Sequence, residues 1–329
     1  MSITMSLNGK DVEKTDLVLG EELGSGGQGR VRRIVGGPHT GAVYKEYLLP
    51  GADPVALERL VRLPHRLGDS ERARLHAMTC WPLARVVSSG HLTGFLMQEI
   101  PQRFLGRIKG GTSTLQELKY LVYEPKPLWG DIRPPETDGR WELSRRFVSL
   151  FQLLHSRRIV VGDVSMANLL WARVPEGGHE VFMIDCDGVR GSGERPVLPQ
   201  AETEEWDDPE QPDTGPDLDT DRYKLALLVG RVLSRHKSVR PGEPLNLPPD
   251  LPSKVAEQVE RRFTEAARGR GHRPDAHQWG VALGGRAEIP VAKIVPSRTI
   301  DLPEARLRPS LGVERKWIPL KKEGVDPTV

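Results

Sequence analysis

The sequence predicts an α+β protein with two lobes and a C-terminal extension. Residues 1–100 contain β-branched runs separated by Gly and Pro turns, which is typical of a small antiparallel sheet with one main helix. Residues 101–284 contain apolar side chains at helical spacing, which indicates a mostly helical lobe. Residues 285–329 mix Pro, Arg and Lys without periodicity and predict a tail.

The composition limits the class of protein. A chain of 329 residues is long enough for two packed lobes, and Lys plus Arg exceed Asp plus Glu by only two, so no nucleic-acid partner is indicated. Two cysteines are too few for a disulfide scaffold, which favours a reducing, cytoplasmic location. Since no apolar run approaches the roughly 20 residues that span a bilayer, we expect no membrane partner.

The first lobe is predicted element by element. Strands are indicated in "LVLGEEL", "RVRRIV" and "GAVYKEYLL", with glycine or Gly-Gly-Pro turns between them. Residues 53–67 predict a helix, because an Asp-Pro pair suits an N-cap followed by proline at the first helical position. "ARVVSSGHLTGFLMQEI" predicts a hairpin that turns near Gly90.

The second lobe shows two amphipathic helices. Residues 102–141 give no clear pattern, and residues 189–218 are polar and Pro-rich, which predicts a long loop. A hairpin through "PEGGHE" leads into "VFMID". The apolar faces of the two helices consist of Leu143, Phe147, Leu150, Phe151 and Leu154, and of Leu225, Leu228, Val229, Val232 and Leu233.

The segment "GSGGQGRV" places Gly24, Gly26 and Gly29 in a G-x-G-x-x-G-x-V pattern. Glycines of this kind let the backbone approach phosphate oxygens closely. A dinucleotide-binding turn would need a helix next, and a P-loop would need Gly-Lys-Ser/Thr, whereas Arg30 and Val31 begin a strand. A phosphate-binding hairpin and an ordinary hairpin tip remain as interpretations.

Lys45 lies in the next predicted strand, fourteen residues past Val31. A lysine in this position can reach the α- and β-phosphates beneath the glycines if a carboxylate holds it. Glu58, in the following helix, is the candidate carboxylate, and a solvated helical glutamate is the alternative. Glu46 should point to the opposite face of the strand.

Two polar loops follow hydrophobic strands in the second lobe. "IVVGDVSMANLLW" contains Asp163 and Asn168, and "IDCDG" contains Asp185 and Asp187. Each can be a turn between buried strands, since Asp caps turns well. Together they can also form loops that hold the metal ion of a nucleotide.

Taken together, these motifs resemble the bacterial eukaryotic-like (Hanks-type) Ser/Thr protein kinase superfamily. The match covers residues 17–284 and is nearest to a kinase-like group with I-D-C-D in place of D-F-G. Seven short motifs occur in the family's order, including "MQEI" as the hinge and "DDPEQP" in place of A-P-E. The resemblance implies a nucleotide site formed by Gly24, Ser25, Gly26, Gly27, Gln28, Gly29, Val31, Lys45, Met97, Gln98, Glu99 and Ile100.

The resemblance also implies roles in catalysis. Asp163 would be the catalytic base, and Asn168 and Asp185 would hold a metal ion, with Asp187 as a substitute or an additional ligand. Structural support would come from a Glu58–Lys45 pair, from Asp221 bracing the catalytic loop, and from Arg273 pairing with Glu210. The implied cofactors are ATP and Mg²⁺, or Mn²⁺ in its place, and the implied partner is a protein substrate or a regulatory protein.

The chain departs from the family pattern at three places. Gly162 replaces the arginine before the catalytic Asp, Ser165 replaces a lysine that neutralises the transferred phosphoryl group, and Cys186 and Asp187 replace Phe and Gly. We therefore expect a Ser/Thr kinase, with a nucleotide-binding pseudokinase scaffold as the alternative. A small-molecule phosphotransferase is a third reading, against which Glu210 and Arg273 favour a protein substrate. Lys224 and the arginines of the activation segment, between "IDCDG" and "DDPEQP", are candidate replacements for the missing lysine.

Overall fold

The computed structural model describes residues 9–199 and 203–284, and the predicted tail of residues 285–329 lies outside the described residues. The first lobe is built on a six-stranded sheet in the order β1-β5-β6-β4-β3-β2. Its strands are β1 (Val12–Glu13), β2 (Val18–Ser25), β3 (Gly29–Gly36), β4 (Ala42–Tyr47), β5 (Ala84–Ser88) and β6 (His91–Gln98). The predicted strands and hairpins of this lobe are confirmed.

The sheet is mixed and not purely antiparallel as predicted. The short strand β1 pairs in parallel with β5, whereas the other neighbours are antiparallel. This strand comes from the segment before Leu17, in which the alternation is too short to reveal a strand. It helps to close a small core on one face of the sheet, formed by Val12, Leu17, Ile34, Ala42, Tyr44, Ala84, Val86 and Leu96.

Residues 1–100 contain two helices, and not one: the first packs on the other face of this sheet, whereas the second packs against β11 (His179–Met183) and α4 (Thr137–Ser156) of the second lobe. Helix α1 (Pro54–Arg62) begins as predicted, with the Asp53 carboxylate accepting hydrogen bonds from the amides of Val55 and Ala56. It ends before residue 67 because Pro64 has no N–H to donate to the Leu60 carbonyl, which accepts from the Trp81 indole instead. Helix α2 (Asp69–Met78) was not predicted, since its mostly polar sequence gives almost no amphipathic signal.

The second lobe is mostly helical, as predicted. Its helices are α3 (Lys119–Val122), α4 (Thr137–Ser156), α5 (Leu218–Ser234), α6 (Ser253–Ala266) and α7 (Ala276–Leu283). Three strand pairs accompany them: β7 (Leu105–Arg107) with β8 (Ser113–Leu115), β9 (Ile159–Val160) with β12 (Arg190–Gly191), and β10 (Leu169–Arg173) with β11 (His179–Met183). The apolar faces predicted for α4 and α5 are buried.

The short strand pairs bring the two polar loops together. The loop after β9 and the turn after β11 are joined by a hydrogen bond from the amide of Ile184 to the carbonyl of Asn168, at 2.9 Å. The first lobe is attached at the same place, since the amide of Cys80 donates to the carbonyl of Met183 at 2.8 Å. Backbone hydrogen bonds therefore join the two loops to each other and to the segment between α2 and β5.

In the described part of the chain, none of the helices has the length and apolar character needed to cross a membrane.

Candidate functional site

A cavity of about 380 Å³ lies where the glycine loop (residues 24–29) faces the Asp163 loop (residues 161–168) and the Asp185 turn (residues 184–188). Its walls consist of Gly24, Ser25, Gly26, Gly27, Gln28, Gly29, Val31, Lys45, Asp163, Asp185, Asp187 and Gly188. The sequence-predicted phosphate-binding residues and three predicted carboxylates thus share one cavity.

Three glycines of the loop have open space around them. A Cβ atom built on Gly24, Gly26 or Gly27 would meet no atom within 4 Å. Gly29 is different, because a Cβ there would lie 2.9 Å from the carbonyl oxygen of Glu46 and 3.1 Å from Cε of Lys45. The absence of a side chain at residue 29 lets β3 pack closely against the strand that carries the lysine.

Gly29→Ala should therefore lower the free energy of unfolding by about 1–3 kcal/mol, because the backbone of β4 must shift to accept the methyl group. Gly27→Ala is the matched control and should leave stability unchanged or raise it by a few tenths of a kcal/mol. Urea denaturation monitored by fluorescence would measure both. Equal stability of the two variants would contradict the proposed close approach at Gly29.

Lys45 is buried on β4 and pairs with both carboxylates of the Asp185 turn. Its Nζ atom lies 2.5 Å from Oδ1 of Asp185 and 2.7 Å from Oδ1 of Asp187. It also lies 5.8 Å from the ring centroid of Phe95. Burial lowers the pKa of Lys45, but Asp187 and then Asp185 outweigh burial and raise the pKa above its usual value. The ammonium group therefore stays charged at neutral pH.

The predicted Glu58–Lys45 pair is wrong. The Glu58 carboxylate binds Arg62, one turn further along α1, at 2.6 Å and Arg85 of β5 at 3.2 Å. The residue of this turn that faces the interior is Leu57, which is fully buried. Glu58 is thus paired with Arg62 and Arg85 and is not among the residues that line the cavity.

Asp163 and Asn168 lie within hydrogen-bond distance of each other. The Asn168 Nδ2 atom donates to Oδ2 of Asp163 at 2.9 Å and to the Asp163 carbonyl at 3.2 Å. Since the amide nitrogen is used in these bonds, the side-chain oxygen of Asn168 is the atom suited to a metal ion. The spacing of five residues thus closes a compact loop around the Asp163 carboxylate.

Asp221 lies beneath this loop, where its predicted bracing role would place it. The carboxylate is fully buried and accepts hydrogen bonds from the amides of Val161, at 2.7 Å, and Gly162, at 2.8 Å. His155 contacts the same carboxylate at 3.2 Å. Gly162 has a φ of +74°, a conformation that costs a residue with a Cβ atom additional energy.

Lys224 is not a replacement for the missing catalytic-loop lysine. It is buried in α5, and its Nζ atom donates to the carbonyl of Gly162 at 2.7 Å, so it holds the loop from below. Ser165 is also buried, and its hydroxyl accepts a hydrogen bond from the backbone N–H of Asn168 at 3.3 Å. Across residues 9–199 and 203–284, Lys45 is the one cationic side chain that lines the cavity.

Thr203 is a site residue that the sequence reasoning did not assign. Its hydroxyl donates to Oδ1 of Asp163 at 2.8 Å, although the two residues are 40 positions apart. Several threonines lie in this region of the sequence, and nothing local marks Thr203 among them. The only feature of the sequence that distinguishes Thr203 as a site residue is its position seven residues before Glu210.

The segment after Thr203 is fixed by a buried ion pair. Arg273 pairs with Glu210 at 3.0 Å, as the sequence predicts, but its main contact is a bidentate pair with Asp208 at 2.6 and 2.8 Å. The Asp208 side chain is fully buried, whereas that of Glu210 is half exposed. Asp208 is thus the stronger anchor and was not assigned.

The predicted hinge residues do not line this cavity. Met97 is buried in the core, and Ile100 is partly buried against it. The Gln98 side-chain amide donates to the carbonyl of Thr79 at 2.7 Å, and Glu99 pairs with Arg33 at 2.5 Å. Their assignment to the nucleotide site therefore stays a prediction.

Few side chains of the site are available as metal ligands. Among the described residues, no group of three or more His, Cys, Asp or Glu side chains is arranged to hold a metal ion by itself. Asp185 is half exposed on the cavity and Asn168 offers one oxygen, a donor set that suits Mg²⁺ when phosphate oxygens and water complete the shell. The residues thus fit a metal ion that arrives with a nucleotide.

Comparison with protein-family models and with curated proteins gives no match to this chain.

Proposed function

We propose that this protein is an ATP- and Mg²⁺-dependent Ser/Thr protein kinase. The observation that carries the proposal is the convergence of the glycine loop, Lys45, Asp163 and Asp185 on one cavity. These groups come from β2–β3, β4 and two separate loops of the second lobe, and each has the chemistry that phosphoryl transfer requires. If Asp163 and Asp185 only capped turns, there would be no physical reason for them to line the same cavity as the glycine loop and Lys45.

In this proposal, the residues divide the work of phosphoryl transfer. The glycine loop covers the phosphates, and Lys45 neutralises the α- and β-phosphates. Asp185 and the Asn168 oxygen hold the metal ion, which when bound offsets charge on the β- and γ-phosphates. Asp163 orients the acceptor hydroxyl and accepts its proton.

A protein is the better candidate for the acceptor than a small molecule. The segment from Thr203 to Glu210 reaches the Asp163 carboxylate at one end and is fixed to Arg273 at the other. A segment that is anchored at both ends gives a polypeptide a rigid surface to bind beside the base. Small-molecule phosphotransferases generally lack this anchor.

A nucleotide-binding pseudokinase is the second candidate, favoured by one observation. Ser165 replaces the lysine of the catalytic loop, and in the described residues no cation other than Lys45 lines the cavity. Since charge stabilisation provides most of the catalysis in phosphoryl transfer, a missing cation can reduce the rate by orders of magnitude.

The test is a thermal-unfolding titration with Mg²⁺ and ATP, run beside a radiolabelled-ATP assay with generic protein substrates. Binding to the native state alone stabilises it by about 2.7 kcal/mol at a ligand concentration of 100 Kd, so a kinase should show both a higher Tm and labelled protein. A higher Tm without labelling would select the pseudokinase. An unchanged Tm and no labelling would refute both nucleotide functions.

A further inference from the structure

The two carboxylates of the Asp185 turn have different environments. Both residues line the cavity, but the Asp185 side chain is 50% exposed, whereas the Asp187 side chain is 3% exposed. Asp185 also has a left-handed backbone, with φ +60° and ψ +40°, which a residue with a Cβ atom adopts at a cost of about 1–2 kcal/mol. Both carboxylates contact the Lys45 ammonium, at 2.5 and 2.7 Å, the first half exposed to solvent and the second enclosed.

Asp187 is enclosed by residues of β4. Its Oδ1 atom lies 2.7 Å from Nζ of Lys45, and the phenol of Tyr47, two residues further along the strand, faces the same turn. Oδ1 of each carboxylate contacts the ammonium, but Asp187 is almost fully buried, so it is less accessible to a hydrated metal ion than the half-exposed Asp185.

We infer that Asp187 is the positioning residue that holds Lys45 for the nucleotide phosphates, and that Asp185 is the metal ligand of the turn. The inference rests on the proposed kinase function and refines it. Glu58 of α1 is bound to Arg62 and Arg85 and takes no part. The anchor of the lysine and the metal ligand are then two residues apart on a single turn, so assembly of the site does not depend on where α1 lies.

The first test separates the two carboxylates by the metal dependence of ATP affinity. Isothermal titration calorimetry would give the Kd of ATP in excess Mg²⁺ and in EDTA for each variant. Asp185→Asn should bring the ratio of the two Kd values close to one, and Asp187→Asn should leave the ratio within about threefold of wild type. Loss of the Mg²⁺ dependence in Asp187→Asn would overturn the inference, because it would make Asp187 a metal ligand.

The second test uses the protein without nucleotide, so it stands even if the proposed function fails. Lys45→Met should lower Tm by about 5–10 °C, because it leaves the Asp187 carboxylate buried and unpaired. Asp187→Asn added to Lys45→Met should recover most of that loss, whereas Glu58→Gln added to it should recover none. If the change in Tm of the double variant equals the sum of the changes for Lys45→Met and Asp187→Asn alone, the proposed pairing is wrong.

The Glu58→Gln variant provides the third measurement. Its phosphate-transfer rate and its Kd for ATP should stay within about twofold of wild type. A loss of tenfold or more would show that α1 anchors the lysine during catalysis and would overturn the inference. If wild type binds no ATP, the proposed function fails, and the thermal cycle alone decides the role of Asp187.

Discussion

Asp163→Asn is expected to lower the rate of phosphate transfer by a factor of about 10²–10⁴, the range that general-base catalysis contributes. The affinity for ATP should stay close to that of wild type, since in the proposed mechanism Asp163 acts on the acceptor hydroxyl and Lys45 on the nucleotide. The rate from radiolabelled ATP and the Kd from calorimetry measure the two quantities separately. A variant that keeps at least half of the wild-type rate would contradict the base assignment.

The local hydrogen bonds suit this substitution. An asparagine at residue 163 can present its oxygen to Nδ2 of Asn168 and its amide group to the hydroxyl oxygen of Thr203, so both contacts can be kept. We therefore expect the variant to unfold within a few degrees of wild type. Asp131→Asn, at an exposed aspartate outside the cavity, is the matched control and should change neither rate nor affinity.

Features of the site that depend on local sequence could be predicted. The glycine spacing and the strand lysine are read from adjacent residues, and the structure brings Gly24 to Gly29 and Lys45 to one cavity. The N-cap at Asp53 and the turn at Gly90, with φ +79°, follow in the same way from short-range preferences. These features can be predicted without knowing which distant residues contact them in the folded protein.

Features that depend on distant partners could not be predicted. Whether Glu58 faces Lys45 or Arg85 depends on which side of α1 packs on the sheet, and a nine-residue helix with mixed charges does not reveal the partner. The choice between Asp185 and Asp187 depends on one left-handed residue within the turn. The contact of Thr203 with Asp163 spans 40 residues of loop and strand.

The acidic run of residues 202–213, "ETEEWDDPEQPD", also shows why distant partners could not be predicted. Composition favours a solvated surface for the whole run. In the structure, the Asp208 side chain has no exposed area and binds Arg273, which also lies 5.0 Å from the ring centroid of Tyr223. One carboxylate of the run is therefore a core residue, and only the tertiary position of Arg273 selects it.

Asp208→Ala is accordingly expected to destabilise the protein by about 3 kcal/mol, because it leaves the buried Arg273 without its bidentate partner. Glu210 and Asp219 remain near the guanidinium, at 3.0 and 3.5 Å, and keep the cost in the lower part of the range for broken buried pairs. Glu210→Ala removes a half-exposed partner and should cost about 1 kcal/mol or less. Urea denaturation with linear extrapolation would measure both values.

The difference between these two variants bears on catalysis as well as stability. Asp208 lies five residues after Thr203, so its loss frees the segment that brings the Thr203 hydroxyl to Asp163. Asp208→Ala should therefore also reduce phosphate transfer at temperatures where the protein remains folded, and Glu210→Ala should do so less. Equal losses of stability for the two variants would show that Arg273 is held by the exposed partner, and the proposed anchor at Asp208 would be wrong.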